Sequence, residues 1–509
     1  MKRMMFAERW ALPILACRLS RTNIPSQGSQ SMTSGLNFIH RRFVPFVSAI
    51  VFMIHCASAQ TPSSTSSLSP HEQLARDIFR EVIDINTTVN VGSTKAAEAM
   101  AGRFKAAGFS ESDMQLVGPR QQNKNLVVRY RGNGNAKPLL FIAHLDVVEA
   151  LREDWSMDPF LFVEKDGFFY GRGTSDMKSE VAEIVANFIR LKKEGFVPKR
   201  DIILALTDHE ENGDANGVLW LLANRRDLID AEFAINLEGG GGDIQKGKCT
   251  LLEVQTSEKV YVSFQLDVLN KGGHSSIPVK ENAIYRLAAG LTRLSAFDLP
   301  VRLNETTRTY FERAAQREEG QTKSDMLATL KTPIDTAAAS RLAASNPYYN
   351  ALMRTIWVPT MLSGGHAENA LPQRARAVVN CRMLPDETAE DVLATLHRVL
   401  ADSQIVVTQI APARPGPLSP LRKDVMNVVE RLAAAMWPGV TVTPVMSTGA
   451  SDGRFLRQAG IPVYGVCGIF ADVDDVRAHG RDERIGVKEF YDSVRFMYSF
   501  IKSITGNSQ

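Results

Sequence analysis

The chain has 509 residues, a net charge of +3, 44% hydrophobic residues and 23% charged residues. This length is enough for two or three domains with substantial cores, and the composition is that of an ordinary globular protein. The small net charge gives no reason to expect nucleic acid or an anionic surface as a binding partner.

The N-terminal segment is predicted to be a secretory signal peptide. Arg41-Arg42 precede the apolar stretch FVPFVSAIVFMI, and Ala57-Ser58-Ala59 then supplies small residues suited to cleavage. The apolar stretch is shorter than the about 20 residues that span a bilayer. We therefore expect cleavage after Ala59, a periplasmic or secreted protein, and no stable membrane insertion afterwards; a retained N-terminal anchor is the alternative. Residues 1–36 exceed what a signal peptide needs, which indicates a true start further into the chain.

Helix-like and strand-like segments alternate over the first part of the mature chain. Helical patterns over residues 71–110 precede the strand-like runs NLVVRY and PLLFIAHLDVV, a helix at SEVAEIVANFIRLKKEG, the strand DIILALT, a helix at GVLWLLANRRDLI and the strand FAINLE. This alternation predicts an α/β fold with a mostly parallel central sheet and helices on both faces. In such a sheet the ligand site lies beyond the C-terminal ends of the strands.

The pattern changes near residue 260. VYVSFQLDVL, ARAVVNCRML and SQIVVTQI read as antiparallel strands, and ENAIYRLAAGLTRL and TAEDVLATLHRVL read as helices. They predict an inserted α+β domain, in which residues 303–350 form a helical elaboration. We expect a signal peptide at residues 1–59 and a linker at 60–70. A first α/β part follows at 71–258, then the inserted domain at 259–413 and a second α/β part at 414–509.

Histidine and acidic residues stand just after several predicted strands. They are His144 with Asp146, Asp176, the pair Glu210-Glu211, Glu238 and His479. Any one of them alone would more often be a turn, a cap or a satisfied core residue. Together at one edge of a sheet, imidazole and carboxylate groups without thiolate suit Zn²⁺, or Co²⁺ and Mn²⁺. Two ions about 3.5 Å apart need a bridging carboxylate plus one histidine and one further carboxylate each, and this set supplies them.

The same segments resemble a known family. The motifs HLDVV, GRGTSDMKSE, DHEENGDANG, LEGG, GGHSSIP and ENALPQRARAVVNCR are similar to those of the zinc exopeptidase and deacylase family of carboxypeptidase S, carboxypeptidase G, aminoacylase, acetylornithine deacetylase and succinyl-diaminopimelate desuccinylase. The resemblance covers residues 72–505, and the long insertion in the second domain is nearest to the carboxypeptidase S branch. It implies a zinc exopeptidase-like catalytic domain with two Zn²⁺, and an inserted lid domain that can also form a homodimer.

The resemblance implies a role for each strand-end residue. The implied metal ligands, with Asp176 bridging the two ions, are His144, Asp176, Glu211, Glu238 and His479. Asp146 would accept the ring N–H of His144 and fix its tautomer. Glu210 would act as general base toward the shared water. The peptide bond after Asp176 is cis in relatives and is expected to be cis here.

The resemblance also implies residues that handle the substrate. His274 in NKGGHSS would stabilise the tetrahedral oxyanion, often from the partner subunit in relatives. The implied binders of the substrate backbone and its terminal carboxylate are Asn369, Arg382, Arg414, Gly449 and Asp452. A guanidinium recognises a carboxylate at two points, which suits the two arginines to this task. The alternative for Arg382 and Arg414 is a surface salt bridge.

These features predict a dinuclear zinc hydrolase that removes a C-terminal amino acid from a peptide or an acyl group from an N-acyl amino acid. Glu238 stands where the family carries Glu in peptidases and aminoacylases and Asp in the desuccinylase branch. One alternative is a zinc aminopeptidase or dipeptidase, against which the 32-residue gap from His144 to Asp176 and the GGHSS motif argue. The other is a catalytically silent peptide-binding relative, which the retention of every ligand and base position disfavours.

Overall fold

The structure is a computed structural model that describes residues 68–506. The predicted signal peptide and most of the predicted linker therefore lie outside the described residues. Among the helices of residues 68–506, none combines the length and the apolar character needed to cross a membrane.

The described part of the chain contains nineteen strands and fourteen α-helices. The strands are β1 Met114–Val117, β2 Asn125–Tyr130, β3 Ala136–His144, β4 Val163–Lys165, β5 Phe168–Tyr170, β6 Arg200–Thr207, β7 Phe233–Asn236, β8 Gly240–Gln245, β9 Lys248–Glu258, β10 Val260–Leu269, β11 Gly273–His274, β12 Ile356–Gly364, β13 Ala370–Leu371, β14 Arg374–Met383, β15 Ile405–Gln409, β16 Thr441–Ser447, β17 Val463–Gly465, β18 Phe470–Asp472 and β19 Arg484–Gly486. The helices are α1 Pro70–Asp84, α2 Thr94–Ala106, α3 Lys178–Lys193, α4 Gly217–Asn224, α5 Arg226–Ile229, α6 Ala283–Ser295, α7 Glu305–Ala314, α8 Gly320–Thr329, α9 Thr336–Ser345, α10 Pro347–Met353, α11 Ala389–Leu400, α12 Lys423–Met436, α13 Gly453–Gln458 and α14 Val487–Thr505.

Ten strands form the main sheet. Its order is β1-β2-β6-β3-β7-β17-β9-β8-β18, and β16 pairs with β9. The central strands β6, β3, β7 and β17 run parallel, whereas β1-β2, β2-β6 and β8-β9 are antiparallel pairs. The predicted α/β class is confirmed, and the predicted parallel pairing holds for the centre of a sheet that is mixed as a whole.

Helices cover both faces of the main sheet. One face packs against α1, α2, α3, α12 and α14. The other face packs against α4, α5 and α13. The central strands are buried from both sides, which explains their continuous apolar runs such as Ile202 to Leu206. Pro70 begins α1 behind a capping box in which Ser69 and Glu72 satisfy each other's backbone N–H groups.

A separate four-stranded antiparallel sheet has the order β12-β14-β10-β15. Its register runs from Val260 opposite Met383 to Leu269 opposite Arg374. Buried residues alternate along β14, since α6 and α11 cover one face only. These strands and the two helices are called the antiparallel domain below. Helices α7, α8, α9 and α10 form a further apolar cluster with β16.

Candidate metal centre and active site

The candidate metal ligands converge around Asp176. His144, the last residue of β3, lies with its Nε2 3.0 Å from one carboxylate oxygen of Asp176. The Nε2 atom of His479 lies 3.1 Å from the other oxygen of Asp176 and 2.9 Å from Glu211 Oε1. Asp176 therefore faces a different imidazole with each of its oxygens. The Asp176–Met177 peptide bond is cis, as expected.

Glu238 and Glu210 lie on the His144 side of this centre. Ligand atoms of His144, Glu210 and Glu238 are all within 4.8 Å of one another, and so are those of His144, Asp176 and Glu211. Both groups share His144 and together hold four carboxylates. The family resemblance implies that Glu210 is a base. Its distance from His144 and Glu238 is also short enough for a metal ligand.

The paired glutamates are held by Asp146. Its two carboxylate oxygens accept the backbone N–H groups of Glu210 and Glu211, each at 3.1 Å. The ring of His144 instead bonds through Nδ1 to the backbone carbonyl of Asp146 at 3.0 Å, and the Asp146 carboxylate is 3.6 Å away. The expected contact from the Asp146 side chain to the His144 ring is therefore made by the main chain. The Asp146 carboxylate fixes the backbone of Glu210 and Glu211.

His209 explains how adjacent glutamates reach one site. Its backbone has φ of +60°, which ends the extended geometry of the chain after β6. The turn lets two successive side chains approach the same centre, whereas in a regular strand they would point to opposite faces. The His209 ring is buried and lies 3.2 Å from both Asp208 and Asp214 carboxylates, which fits its predicted structural role.

The carboxylates shift the pKa values of their neighbours. Hydrogen bonds to Asp176 and Glu211 raise the pKa of His479 to about 10. Burial, followed by the nearby carboxylate of Asp452, raises the pKa of Glu210 to about 8. The cluster holds more negative charge than two imidazoles can balance, so it favours added cations.

Two residues that the sequence reasoning missed hold the loop before Asp176. Buried Glu483 accepts the backbone N–H groups of Gly173, Ser175 and Asp176 at 2.7 to 3.2 Å and pairs with Arg172. Glu483 and Arg172 are 311 positions apart in the chain. No local pattern joins them, although Glu483 follows His479 by only four residues, which is the signal that could have drawn attention to it.

Asp452 and Gly449 are predicted substrate binders, and the structure shows what each contacts within the chain. Asp452 is buried, and its carboxylate accepts hydrogen bonds from Asn216 Nδ2 at 2.5 Å and Thr207 Oγ1 at 3.3 Å. Both carboxylate oxygens of Asp452 therefore have protein partners, and the Asp452 carboxylate acts on Glu210 by its charge. Gly449 is exposed, and its N–H bonds to Ser447 Oγ.

His274 lies on the two-stranded ladder of β11 and β13, and Asn369 directly precedes β13. His274 pairs with Ala370, and the N–H of Ser275 donates to the Asn369 carbonyl at 3.0 Å. The His274 ring is exposed and bonds to Ser276. Within residues 68–506 of one copy, neither side chain hydrogen-bonds to a candidate metal ligand.

Arg382 and Arg414 both have guanidinium groups without an acidic partner. Arg382 is half-buried on β14 and stacks on Tyr261 at 4.9 Å. Arg414 lies over Phe455 at 5.7 Å. Among the described residues no carboxylate lies within 4.0 Å of either group, whereas Arg374 and Arg376 on the same strand both pair with Asp267. The alternative reading of a surface salt bridge therefore does not apply to them.

A comparison with protein-family models gives the family. Residues 140–503 match the model of Peptidase family M20/M25/M40. The chain belongs to this family. The match contains the whole candidate centre, from His144 to His479, and it confirms the resemblance and makes the chain a hydrolase of the metallopeptidase and amidohydrolase class.

The chain is similar to relatives whose names give two kinds of activity. The chain is 29% identical over 377 residues to the N-fatty-acyl-amino acid synthase/hydrolase PM20D1 of Homo sapiens, covering 72% of this chain and 74% of that one. It is 27% identical over 457 residues to the probable carboxypeptidase S-like 2 of Dictyostelium discoideum, covering 83% of this chain and 87% of the other.

A solved structure of the family shares the fold. The metallo-carboxypeptidase Sso-CP2 from Sulfolobus solfataricus superposes with a TM-score of 0.62 at 18% identity, covering 85% of this chain and 99% of that chain. At this identity the match supports the fold alone, a catalytic α/β domain with an inserted domain.

Proposed function

We propose that this chain is a dinuclear metal-dependent amidohydrolase that cleaves the amide bond before a free amino acid at the C-terminus of its substrate. The substrate is a peptide with a blocked N-terminus or an N-acyl amino acid. The observation that carries the proposal is Asp176, whose two oxygens face His144 on one side and His479 on the other.

The donor set fits two divalent cations of the zinc type. On one side Asp176 would share an ion with His144 and Glu238, and on the other with Glu211 and His479. Nitrogen and oxygen donors without sulfur suit Zn²⁺, Co²⁺ or Mn²⁺. Such ions lower the pKa of bound water toward about 7 and polarise a substrate carbonyl.

Glu210 is placed to move the proton. Its backbone is fixed by Asp146, and its carboxylate lies beside His144 and Glu238. A carboxylate in this position can take the proton from the attacking water and pass it to the leaving amine.

The environment of Arg382 is evidence for a substrate with a free carboxylate. Its guanidinium has an aromatic platform in Tyr261 and no acidic partner, so it can bind a carboxylate at two points. The named relatives favour the same substrates, because a carboxypeptidase substrate and an N-acyl amino acid both end in a free amino acid carboxylate.

A chelator assay tests the proposal. We expect the protein to release the C-terminal amino acid from benzoyl-dipeptides or the amino acid from N-acyl amino acids, and removal of metal should abolish release. Adding back Zn²⁺, Co²⁺ or Mn²⁺ should restore it. Turnover that resists chelation would refute the metal mechanism, and release only from peptides with a free N-terminus would favour an aminopeptidase.

A further inference from the structure

A cavity of about 490 Å³ lies directly beside Glu238. Its walls come from the region after β7, the strands β5, β8 and β18, the first turn of α3 and the segment around β19. It also includes Ser175, the neighbour of Asp176. A pocket of this size is in the range that holds part of a small substrate.

The side chains around this cavity are mostly acidic. The acidic lining residues are Glu180, Glu238, Asp243, Glu253, Asp472, Asp475 and Glu489, and the basic one is Arg484. Arg484 is already engaged, because it donates to Asp475 Oδ2 at 2.6 Å and to the Tyr170 hydroxyl at 2.8 Å. Among the described residues, Asp475 is the one acidic lining residue that has a lysine, arginine or histidine nitrogen within 4.0 Å.

Glu180 is the most informative of these residues. Its side chain lines the cavity yet is only 6% exposed. One oxygen accepts from Ser179 Oγ at 2.6 Å, and the other faces only the thiol of Cys467 at 3.9 Å. Glu183, one turn further along α3, is also buried, and its carboxyl lies near the Ser493 hydroxyl without a hydrogen bond of normal geometry.

A buried carboxylate without a cation is costly, and proteins normally pair it. Burial raises the pKa of Glu180 to about 8, which shows how weakly its own surroundings stabilise the charge. Without a partner Glu180 is therefore mostly protonated at neutral pH, and a cation that enters the cavity would favour its ionised form. Glu180 has one oxygen free, which suits the single point charge of an ammonium better than the two-point fork of a guanidinium.

The cavity also offers apolar walls. Phe168, Ile469, Phe470 and Ile485 contribute to its lining. Such walls can contact the methylene groups of a chain that carries a charge at its end. Acidic groups together with apolar walls therefore match a flexible alkyl chain ending in an amine.

We propose that this cavity is a substrate subsite for an alkylammonium group, such as the side chain of lysine or ornithine, with Glu180 as its specificity-determining residue. The proposal rests on the proposed function, since it concerns which amide substrates that centre accepts. It predicts a preference for positively charged substrates.

Matched substrates test the subsite in the wild-type protein. Benzoyl-dipeptides would carry lysine or norleucine at either position, with alanine at the other. We expect kcat/KM to favour lysine over norleucine by about 10- to 100-fold at one position, the range of a hydrogen bond to a charged group. Equal rates at both positions would overturn the subsite while leaving the proposed function intact. Absence of any hydrolysis would instead refute the proposed function.

Substitution then assigns the preference to Glu180. Glu180→Gln should remove most of the lysine preference while norleucine substrates keep their rate, which also shows that the variant is folded. Glu194→Gln, near the other end of the same helix, should leave the preference unchanged. Equal losses on both substrates would overturn the assignment, as would a third equivalent of bound metal that disappears in Glu180→Gln.

Discussion

The main sheet and the antiparallel domain differ in which side chains depart from the usual burial pattern. Around the C-terminal edge of the main sheet, charged side chains are buried, among them Asp146, Glu180 and Glu483. In the antiparallel domain, apolar side chains are exposed at the edge, and Met361 and Leu362 on β12 are 67% and 71% exposed. Each region thus departs from the usual distribution of polar and apolar residues in its own way.

The difference indicates which kind of binding partner each region favours. Buried carboxylates are unfavourable unless cations or hydrogen-bond donors pair with them. Asp146 and Glu483 have such partners within the chain, whereas the carboxylates around Asp176 and Glu180 fit the metal ions and the charged substrate group proposed above. Exposed apolar residues on an edge strand are unfavourable in water, so the antiparallel domain calls for another surface. Substitution of the buried carboxylates should therefore alter chemistry, and substitution of the exposed apolar residues of β12 should alter association.

Glu210→Gln should have the largest effect. Loss of the base is expected to lower kcat by about 10²- to 10⁴-fold, because that is the usual contribution of a general base. Metal content, measured by elemental analysis, should stay at the wild-type value. The fold should be unchanged, because glutamine has nearly the same volume as glutamate and the Asp146 carboxylate still binds the backbone N–H of residue 210.

The structure makes this prediction sharper than the sequence does. Glu210 lies close enough to His144 and Glu238 to be a ligand itself. If Glu210→Gln loses metal together with activity, Glu210 belongs to the ligand set and another group is the base. Asp227→Asn, at an exposed residue paired with Arg225, is the matched control and should retain both metal and rate.

Arg382→Met should have an intermediate effect. We expect kcat/KM for substrates with a free C-terminal carboxylate to fall about 10- to 100-fold, mostly through KM, because a charge-assisted contact is lost. Substrates with an amidated C-terminus should be much less affected. Arg374→Met removes an arginine of the same strand that already pairs with Asp267, and it should change neither class. The same loss on amidated substrates would mean that Arg382 does not bind the carboxylate.

Much of the fold could be predicted because the apolar patterns are strong. VYVSFQLDVL coincides with β10, and the buried run of β6 was recognised from its apolar residues. The strands β8, β12 and β16 were not predicted. Strand β8 begins with three glycines, and β12 and β16 contain Pro359 and Pro444, so local pattern disfavours all three.

The convergence of the candidate ligands could be predicted from the sequence, whereas the residues that hold them in place could not. Strand ends and motif order brought the candidate ligands to one edge, because parallel strands share that edge. The contacts that hold these residues come from segments far apart in the chain. For example, Glu483 binds the loop that precedes Asp176. At Asp146 the main-chain carbonyl, not the expected carboxylate, contacts the His144 ring. The sequence does not determine which of the two groups makes this contact.

Leu362→Lys should have the smallest effect on the single chain. We propose that β12 and α6 contact a second copy of this chain through their exposed apolar residues Ile284, Tyr285, Met361 and Leu362. The two elements are neighbours, since Ile284 of α6 lies against Gly364 at the end of β12. A charge there should shift the protein from dimer to monomer in sedimentation, while the stability of the chain changes by no more than about 0.5 kcal/mol. Val197→Lys, at an exposed apolar residue elsewhere, should leave the dimer intact.

The monomeric variant also tests where His274 acts. In one copy its ring bonds to Ser276 and is exposed, so it has no contact with the metal centre. If the partner subunit supplies this histidine, Leu362→Lys should lose as much activity as His274→Ala, and mixing His274→Ala with Glu210→Gln should recover part of it in hybrid dimers. A fully active monomer would show that His274 reaches its own centre by movement of the antiparallel domain, and would remove the reason for a functional dimer.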